Sequence, residues 1–329
     1  MSRRLLVAAA GGRGFARGPF VPPEQGVALP GTFTKHPSNP VLTRGGVGTW
    51  DEGELNGQAV FYDADNDRFV MSYSGNDGTG GATPYYKTGL AYSTDLVSWT
   101  KEATNPVFDP GYRQVAPTIV KRGSVYVMYY QKWPGTSEIY CATSANLLAW
   151  TVQNGGSPVL PVRSGEWDET HTFDPFVRLR ADGSVQLFYA GQDSFGSRGI
   201  GYAYSTDNVT MTNRTFVAYW NMATEIADNW GTPSVVASSD THWGWFNDAS
   251  AVEGHRWIDR LWTTDNGATF TREQAVLTKS VSGWDSAQVF DSAAIWWNGT
   301  LYLLYTGAAI AGGAADLNGE IGLATMAWP

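Results

Sequence analysis

The sequence predicts an all-β chain folded as a five-bladed β-propeller of four-stranded antiparallel blades, and three observations carry that prediction. Trp50-Asp51, Trp167-Asp168 and Trp284-Asp285 are equally spaced, 117 residues apart. Each pair precedes a β-rich run, a short turn and an aromatic run ending in small residues, as in DPFVRLRADGSVQLFYAG (174–191). The same run-turn-run plan recurs without a Trp-Asp pair at 116–132 and 232–250, so the unit is half the interval and the chain holds five. Two further markers share the period. YSTDLVSW (92–99), TSANLLAW (143–150), YSTDNVTM (204–211) and WTTDNGATF (262–270) recur in register, as do NPVL (39–42), NPVF (105–108), SPVL (157–160) and AVL (275–277). A fixed repeat is the first thing to settle, because missing it misassigns the whole fold.

Within a unit the strands are short, rich in Val, Tyr, Phe and Trp, and separated by turns such as Asp182-Gly183 and Asn298-Gly299. These are hairpin signals. No segment sustains a 3.6-residue period, so almost no helix is expected. About four strands per unit of roughly 50–60 residues is the radial plan of a propeller. A solenoid would use shorter repeats and need capping ends. One propeller is expected to fill residues 31–329, since all-β architectures often use this length for a single domain.

Residues 1–30 fall outside the repeats. They are basic, rich in Gly and Ala, and lack strand pattern, which predicts an irregular N-terminal leader. The apolar stretch from Leu5 to Ala10 is too short for a signal-peptide core or a membrane span. The lone Cys141 is expected to be a small buried hydrophobe. Lys and Arg number 22 against 31 Asp and Glu, a net charge of −9, which argues against nucleic acid or an anionic membrane as partner. Fifteen Trp and sixteen Tyr exceed the needs of a core and suggest a surface that stacks on sugar rings.

In a propeller the innermost strands converge on a central channel, and the residues opening them line one mouth. Aligning the units on their turn glycines places Gln58, Ala116, Asp174, Thr232 and Asp291 there. Asp51, Glu52, Glu54, Asp168, Glu169, Glu225, Asp228 and Asp285 lie just upstream. A funnel with several carboxylates suits glycosidic bond cleavage. That reaction needs one carboxyl held protonated to serve the leaving oxygen, and a second, ionised, to attack the anomeric carbon or activate water. Crowding like charges raises the pKa of one member.

YSTDLVSWTK (92–101) and the NPVL-type boundaries resemble the recurrent elements of the five-bladed propeller glycoside hydrolases, the superfamily of arabinanases, arabinofuranosidases, β-xylosidases, invertases and levanases. The resemblance runs from about residue 36 to the end. It implies that Asp174, in Asp174-Pro175, is the third-blade transition-state stabiliser or the modulator of the acid's pKa. Glu54-Leu55-Asn56-Gly57 is similar to the first-blade Asp-Pro-Asn-Gly of invertases, which makes Glu54 the expected base or nucleophile, with Asp51 as substitute. The fourth blade departs from the pattern. These families carry a Glu before that strand, and this chain has Trp230-Gly231-Thr232-Pro233. Glu225 and Asp228 upstream are then candidates for the acid, with Glu169 and Asp291. The resemblance also implies a furanoside such as an arabinofuranoside as substrate.

Asp51, Gln58, Trp50, His171, Glu169, Trp230 and Trp284 complete the expected sugar-binding set. The four histidines show no metal-ligand spacing, so no metal is required, although the resemblance allows a Ca2+ ion in the channel. TTDNGATF (263–270) resembles the Asp-box turn of sialidases, but a sialidase needs an arginine triad and usually six blades. The rival from another class is a non-catalytic carbohydrate-binding propeller in a surface or virion assembly. Against it, the mouth residues differ from blade to blade, as one asymmetric active site requires.

Overall fold

A computed structural model of the chain describes residues 33–79, 84–133, 135–219, 234–237, 243–252, 255–265, 268–269, 271–309 and 318–327. The basic stretch 1–30, Glu225, Asp228 and Trp230 lie outside the described residues. The fold is the expected one. Five four-stranded antiparallel sheets follow one another along the chain.

Blade one holds β2 (Glu54–Asp63), β3 (Arg68–Asn76), β4 (Lys87–Ser93) and β5 (Thr100–Lys101). Blade two holds β6 (Gln114–Arg122), β7 (Val125–Lys132), β8 (Glu138–Ser144) and β9 (Thr151–Val152). Blade three holds β10 (His171–Leu179), β11 (Val185–Gln192), β12 (Arg198–Ser205) and β13 (Thr212–Tyr219). Blade four holds β14 (Ser234–Ala237), β15 (Trp243–Val252), β16 (His255–Thr263) and β17 (Thr271–Leu277). Blade five is β18 (Gln288–Trp297), β19 (Thr300–Ala308) and β20 (Glu320–Ala327), and its outer strand is β1 (Thr34–Lys35). The first strand of the chain thus completes the last sheet, with Thr34 opposite Thr325. The inner strands β2, β6, β10, β14 and β18 touch in sequence round the whole ring. A closed ring needs no polar caps, which separates it from a solenoid.

Each blade shows a different face to each neighbour, because successive side chains on a strand point opposite ways. On β7, Met128 and Tyr130 pack with Val70 and Leu90 of blade one, while Val127 and Tyr129 pack with Val177 and Leu187 of blade three. Five such apolar layers, one per junction, form the core. Cys141 is fully buried in the layer between blades two and three, as expected. The Asn298-Gly299 hairpin has positive φ at both residues, 47° and 78°, the backbone that a tight β-turn of matching twist requires.

The periodic markers are struts. In the odd blades Trp50, Trp167 and Trp284 lie over glycines of the second and third strands, where no side chain would fit. A Cβ at Gly191 would stand 2.4 Å from the Trp167 ring, and one at Gly307 2.4 Å from the Trp284 ring. The adjoining Asp51, Asp168 and Asp285 are buried and accept from Tyr73, Tyr189 and Tyr305 at 3.4, 2.8 and 3.1 Å. A cation completes each set: Lys101 on Asp51 and Lys35 on Asp285, at 2.6 and 2.5 Å, and Arg163 with Arg214 on Asp168. Burying a carboxylate is tolerable only when it is paired and hydrogen-bonded in this way. The boundary asparagines are clamps. Asn39 and Asn105 each bond both the N–H and the C=O of one residue of a third strand, Leu323 and Leu90. The Ser-x-Asp marker closes an outer turn. Asp95 accepts from the amides of Val97 and Ser98, and Asp207 from those of Val209 and Thr210. Asp265, in the segment resembling an Asp-box, likewise accepts from the Thr269 amide.

Candidate active site

Gly57, Ala116, Asp174 and Asp291 all have positive φ, between 46° and 56°, near the start of their inner strands. Each lies at a break in register with the second strand, between Asn56 and Ala59, Val115 and Thr118, Phe173 and Phe176, and Phe290 and Ser292. These are β-bulges, which re-aim a side chain by adding a residue to one strand. The bulges face Tyr73, Tyr130, Tyr189 and Tyr305 of the second strands. Three of the raised amides are held by a side chain of the preceding blade. Gly57 N–H donates to the Asp291 carboxylate at 3.0 Å, Ala116 N–H to Ser74 Oγ at 2.9 Å, and Asp174 N–H to Gln131 Oε1 at 3.3 Å. A non-glycine residue rarely adopts this backbone, and Asp is among the few that tolerate it.

The bulges correct the alignment in blade one. Gly57, not Gln58, occupies the position equivalent to Asp174 and Asp291, so the mouth residue follows the tryptophan by seven in all three odd blades. Gln58 turns inward and is 2% exposed. Its amide donates to the Asp291 carbonyl, and its oxygen accepts from Thr306 Oγ1 at 2.9 Å. It ties blade one to blade five.

Glu54 opens β2 and is 3% exposed. Its Oε2 accepts from Tyr86 Oη at 2.5 Å and from Asn76 Nδ2 at 3.4 Å, and its Oε1 is buried without a hydrogen-bond partner among the described residues. Burial pushes its pKa up to about 7. The Tyr86 hydroxyl opposes that rise, and the negative charge of Asp291 adds to it. Two carboxylates from sequence positions far apart are therefore neighbours at the junction of blades one and five. Pushing the pKa values of such a pair apart is how a protein separates an acid from a base.

Asp174 stands at the mouth on the blade-three bulge, half-buried. His171, three residues before it, accepts at Nδ1 from the Ser137 amide at 3.1 Å. Burial, and then the charge of Arg198, lower its pKa, so the ring is neutral and serves the junction of blades two and three. Glu169 is an ionised carboxylate. Hydrogen bonds from Ser194 and from the Gly165 amide hold its pKa below the usual range. Asp51, Trp50 and Trp284 belong to the struts already described. Among the described residues no three His, Cys, Asp or Glu side chains gather as metal ligands would.

Arg113, just before β6, had no part in the sequence-derived site. Its guanidinium lies 5.4 Å from the Tyr86 ring and 4.9 Å from the Trp133 ring. The signal was weak, a lone arginine one residue outside a strand. The far end of the channel is chemically different. There a cavity of about 350 Å3 is lined mainly by apolar side chains of the inner strands, including Phe61, Ile119, Phe176, Val235 and Ile295.

No model of a known protein family matches the chain. An uncharacterized protein of Mycobacterium tuberculosis is 30% identical over 144 residues, a stretch that covers 42% of this chain and 47% of that relative. Among solved structures, a glycosyl hydrolase from Bacteroides ovatus superposes with a TM-score of 0.65 at 17% identity, covering 91% of this chain and 94% of that one. A structure from work on the mannoside phosphorylase family containing glycoside hydrolases that target β-1,2 mannosidic linkages in Candida mannan has a TM-score of 0.66 at 16% identity. That match covers 94% of this chain and 98% of the other. An exo-1,5-α-L-arabinanase from a bovine ruminal metagenomic library has a TM-score of 0.57 at 15% identity, with coverage of 85% and 95%. At these identities the likeness is one of fold: the chain is a five-bladed β-propeller of the kind on which glycoside hydrolases are built.

Proposed function

We propose that the protein is a glycoside hydrolase whose proton donor is Glu54. The observation that carries this reading is the pairing of a buried Glu54 carboxyl with Asp291 at the mouth of the ring. A carboxyl whose pKa lies near 7 is largely protonated in mildly acidic solution and can deliver its proton to a departing sugar oxygen. This assigns Glu54 the acid's role, not the base or nucleophile role its sequence context implies, and it gives the site an acid without a fourth-blade glutamate. Asp291 is the ionised partner, which attacks the anomeric carbon or activates water. Asp174 faces the same mouth from blade three and stabilises the positive charge that develops on the sugar ring.

An arabinofuranoside is the substrate proposed first, supported by the sequence resemblance and by an arabinanase among the structures of like fold. Release of reducing sugar from arabinans, xylans, fructans and mannans tests the reading, with Glu54→Gln as the control. Turnover by the parent protein, lost in the variant, is the expected result. Turnover that survives Glu54→Gln removes Glu54 as the donor. Sugar binding without turnover by the parent protein would favour the carbohydrate-binding propeller.

A further inference from the structure

We infer that Arg113 is a specificity residue that reads a carboxylate on the ligand, so that the mouth takes glycans carrying an acidic sugar. This rests on the placement of the site beside Glu54 and deepens that reading. Arg113 comes from the segment leading into β6, at the same end of the ring as Glu54. Its planar cation is held against the rings of Tyr86 and Trp133, 5.4 and 4.9 Å away. Tyr86 is 2% exposed and fixed by its bond to Glu54, so one face of the guanidinium rests on a rigid wall.

What Arg113 lacks is as informative. No ion pair and no side-chain hydrogen bond joins it to any described residue, and its Nε is buried without a partner. Lys35, Lys87, Lys101, Lys121 and Arg163 sit on carboxylates, whereas Arg113, like Lys132, is held over rings. Aromatic faces attract a cation, yet they satisfy none of its five N–H donors, which lie in the guanidinium plane. The charge of Glu54 favours the Arg113 cation, but no hydrogen bond or ion pair joins the two side chains. A preset fork of donors with no internal partner matches the two oxygens of a carboxylate. A neutral sugar leaves that fork half used. In a chain of net charge −9, such a cation at the mouth selects for anionic ligands locally and against the overall field.

Calorimetric titration of the full chain with D-glucuronate and D-glucose tests the inference, since the two differ by a carboxylate in place of a hydroxymethyl group. Glucuronate is expected to bind at least about tenfold more tightly, the size of one charge-assisted hydrogen-bonded pair. Rising salt should erode that preference in the unaltered protein. Arg113→Gln should abolish the preference and Arg113→Lys should keep part of it, with thermal denaturation confirming that both variants fold. Equal affinity for the two sugars overturns the inference while leaving the hydrolase reading intact. Failure of both sugars, and of the neutral oligosaccharides, to bind overturns the two together. Inorganic phosphate serves as a control anion. If it binds through Arg113 while the two sugars do not differ, the inference also fails.

Discussion

The Gly57 amide donates to the Asp291 carboxylate at 3.0 Å, and this bond joins the first blade to the last beside the buried Glu54. The same Asp291 raises the Glu54 pKa by its charge. One side chain therefore stitches the ring and adds to the burial that keeps its neighbour protonated.

Removing that charge should be visible directly. In Asp291→Asn the side-chain oxygen can still accept from Gly57, but the repulsion of an ionised Glu54 is gone. The Glu54 titration, followed by carbon-13 carboxyl NMR, is expected to move to lower pH. Turnover should fall by about a hundredfold or more if Asp291 is the base or nucleophile. A Glu54 titration that stays where it was would break the link between the two groups.

Tyr86→Phe should act in the other direction. The hydroxyl favours the ionised form of Glu54, so its loss raises the Glu54 pKa further. The alkaline limb of the kcat/KM profile, set by loss of the donor proton near pH 7, is expected to shift upward. Glu54→Gln should eliminate that limb together with the activity.

Stability should follow the same group with a defined sign. Glu54 has a folded pKa above its unfolded value, so its contribution is complete below pH 4.5 and lost as pH rises through about 7. The change is of the order of 3 kcal/mol. Urea denaturation at pH 4.5 and pH 8 should show this fall in the parent protein and a flatter profile in Glu54→Gln. Equal slopes in the two proteins would remove burial of Glu54 as the cause.

At the blade-three bulge the backbone and the chemistry can be separated. Asn tolerates positive φ about as well as Asp, so Asp174→Asn should abolish turnover with little change in melting temperature. Asp174→Val places a β-branched residue at φ 49° and should also cost about 1–3 kcal/mol of stability. Full activity in the Asn variant would take Asp174 out of the site.

The struts make a third kind of test. Gly191→Ala drives a Cβ to 2.4 Å from the Trp167 ring and 2.8 Å from the Asp168 Cβ, which should cost about 1–3 kcal/mol. Gly46→Ala, where nothing lies within 4 Å, is the neutral control. A pair of variants equal in stability would mean that the tryptophan shifts freely over its glycines.

The ring was legible in the sequence because the blades reuse a few devices: a tryptophan over two glycines in the odd blades, asparagine clamps at Asn39 and Asn105, and Asp-closed outer turns. The height of the mouth was legible for Asp174 and Asp291. It slipped by one at Gly57 because a bulge sets extra residues against one partner, and alternation cannot count across it. The surroundings of Glu54 were not legible. Burial and the charge of Asp291 keep it protonated against the donors Tyr86 and Asn76 of its own blade, and Asp291 reaches it only when the blades assemble. Arg113 was hidden for the same reason, since its rings come from two blades.

The bulged residues have one more consequence. Each sits where the strand has stepped out of its ladder, so its side chain can be exchanged without disturbing the pairing on either side. The mouth is then a ring of interchangeable sockets on an invariant frame. Asp291 and Asp174 are filled sockets, Ala116 is blank, and Gly57 is nearly sealed, because a Cβ there would meet Ala116 at 3.1 Å. New chemistry can be tried in such a fold one blade at a time, and blade one has traded its socket for Glu54, three residues upstream.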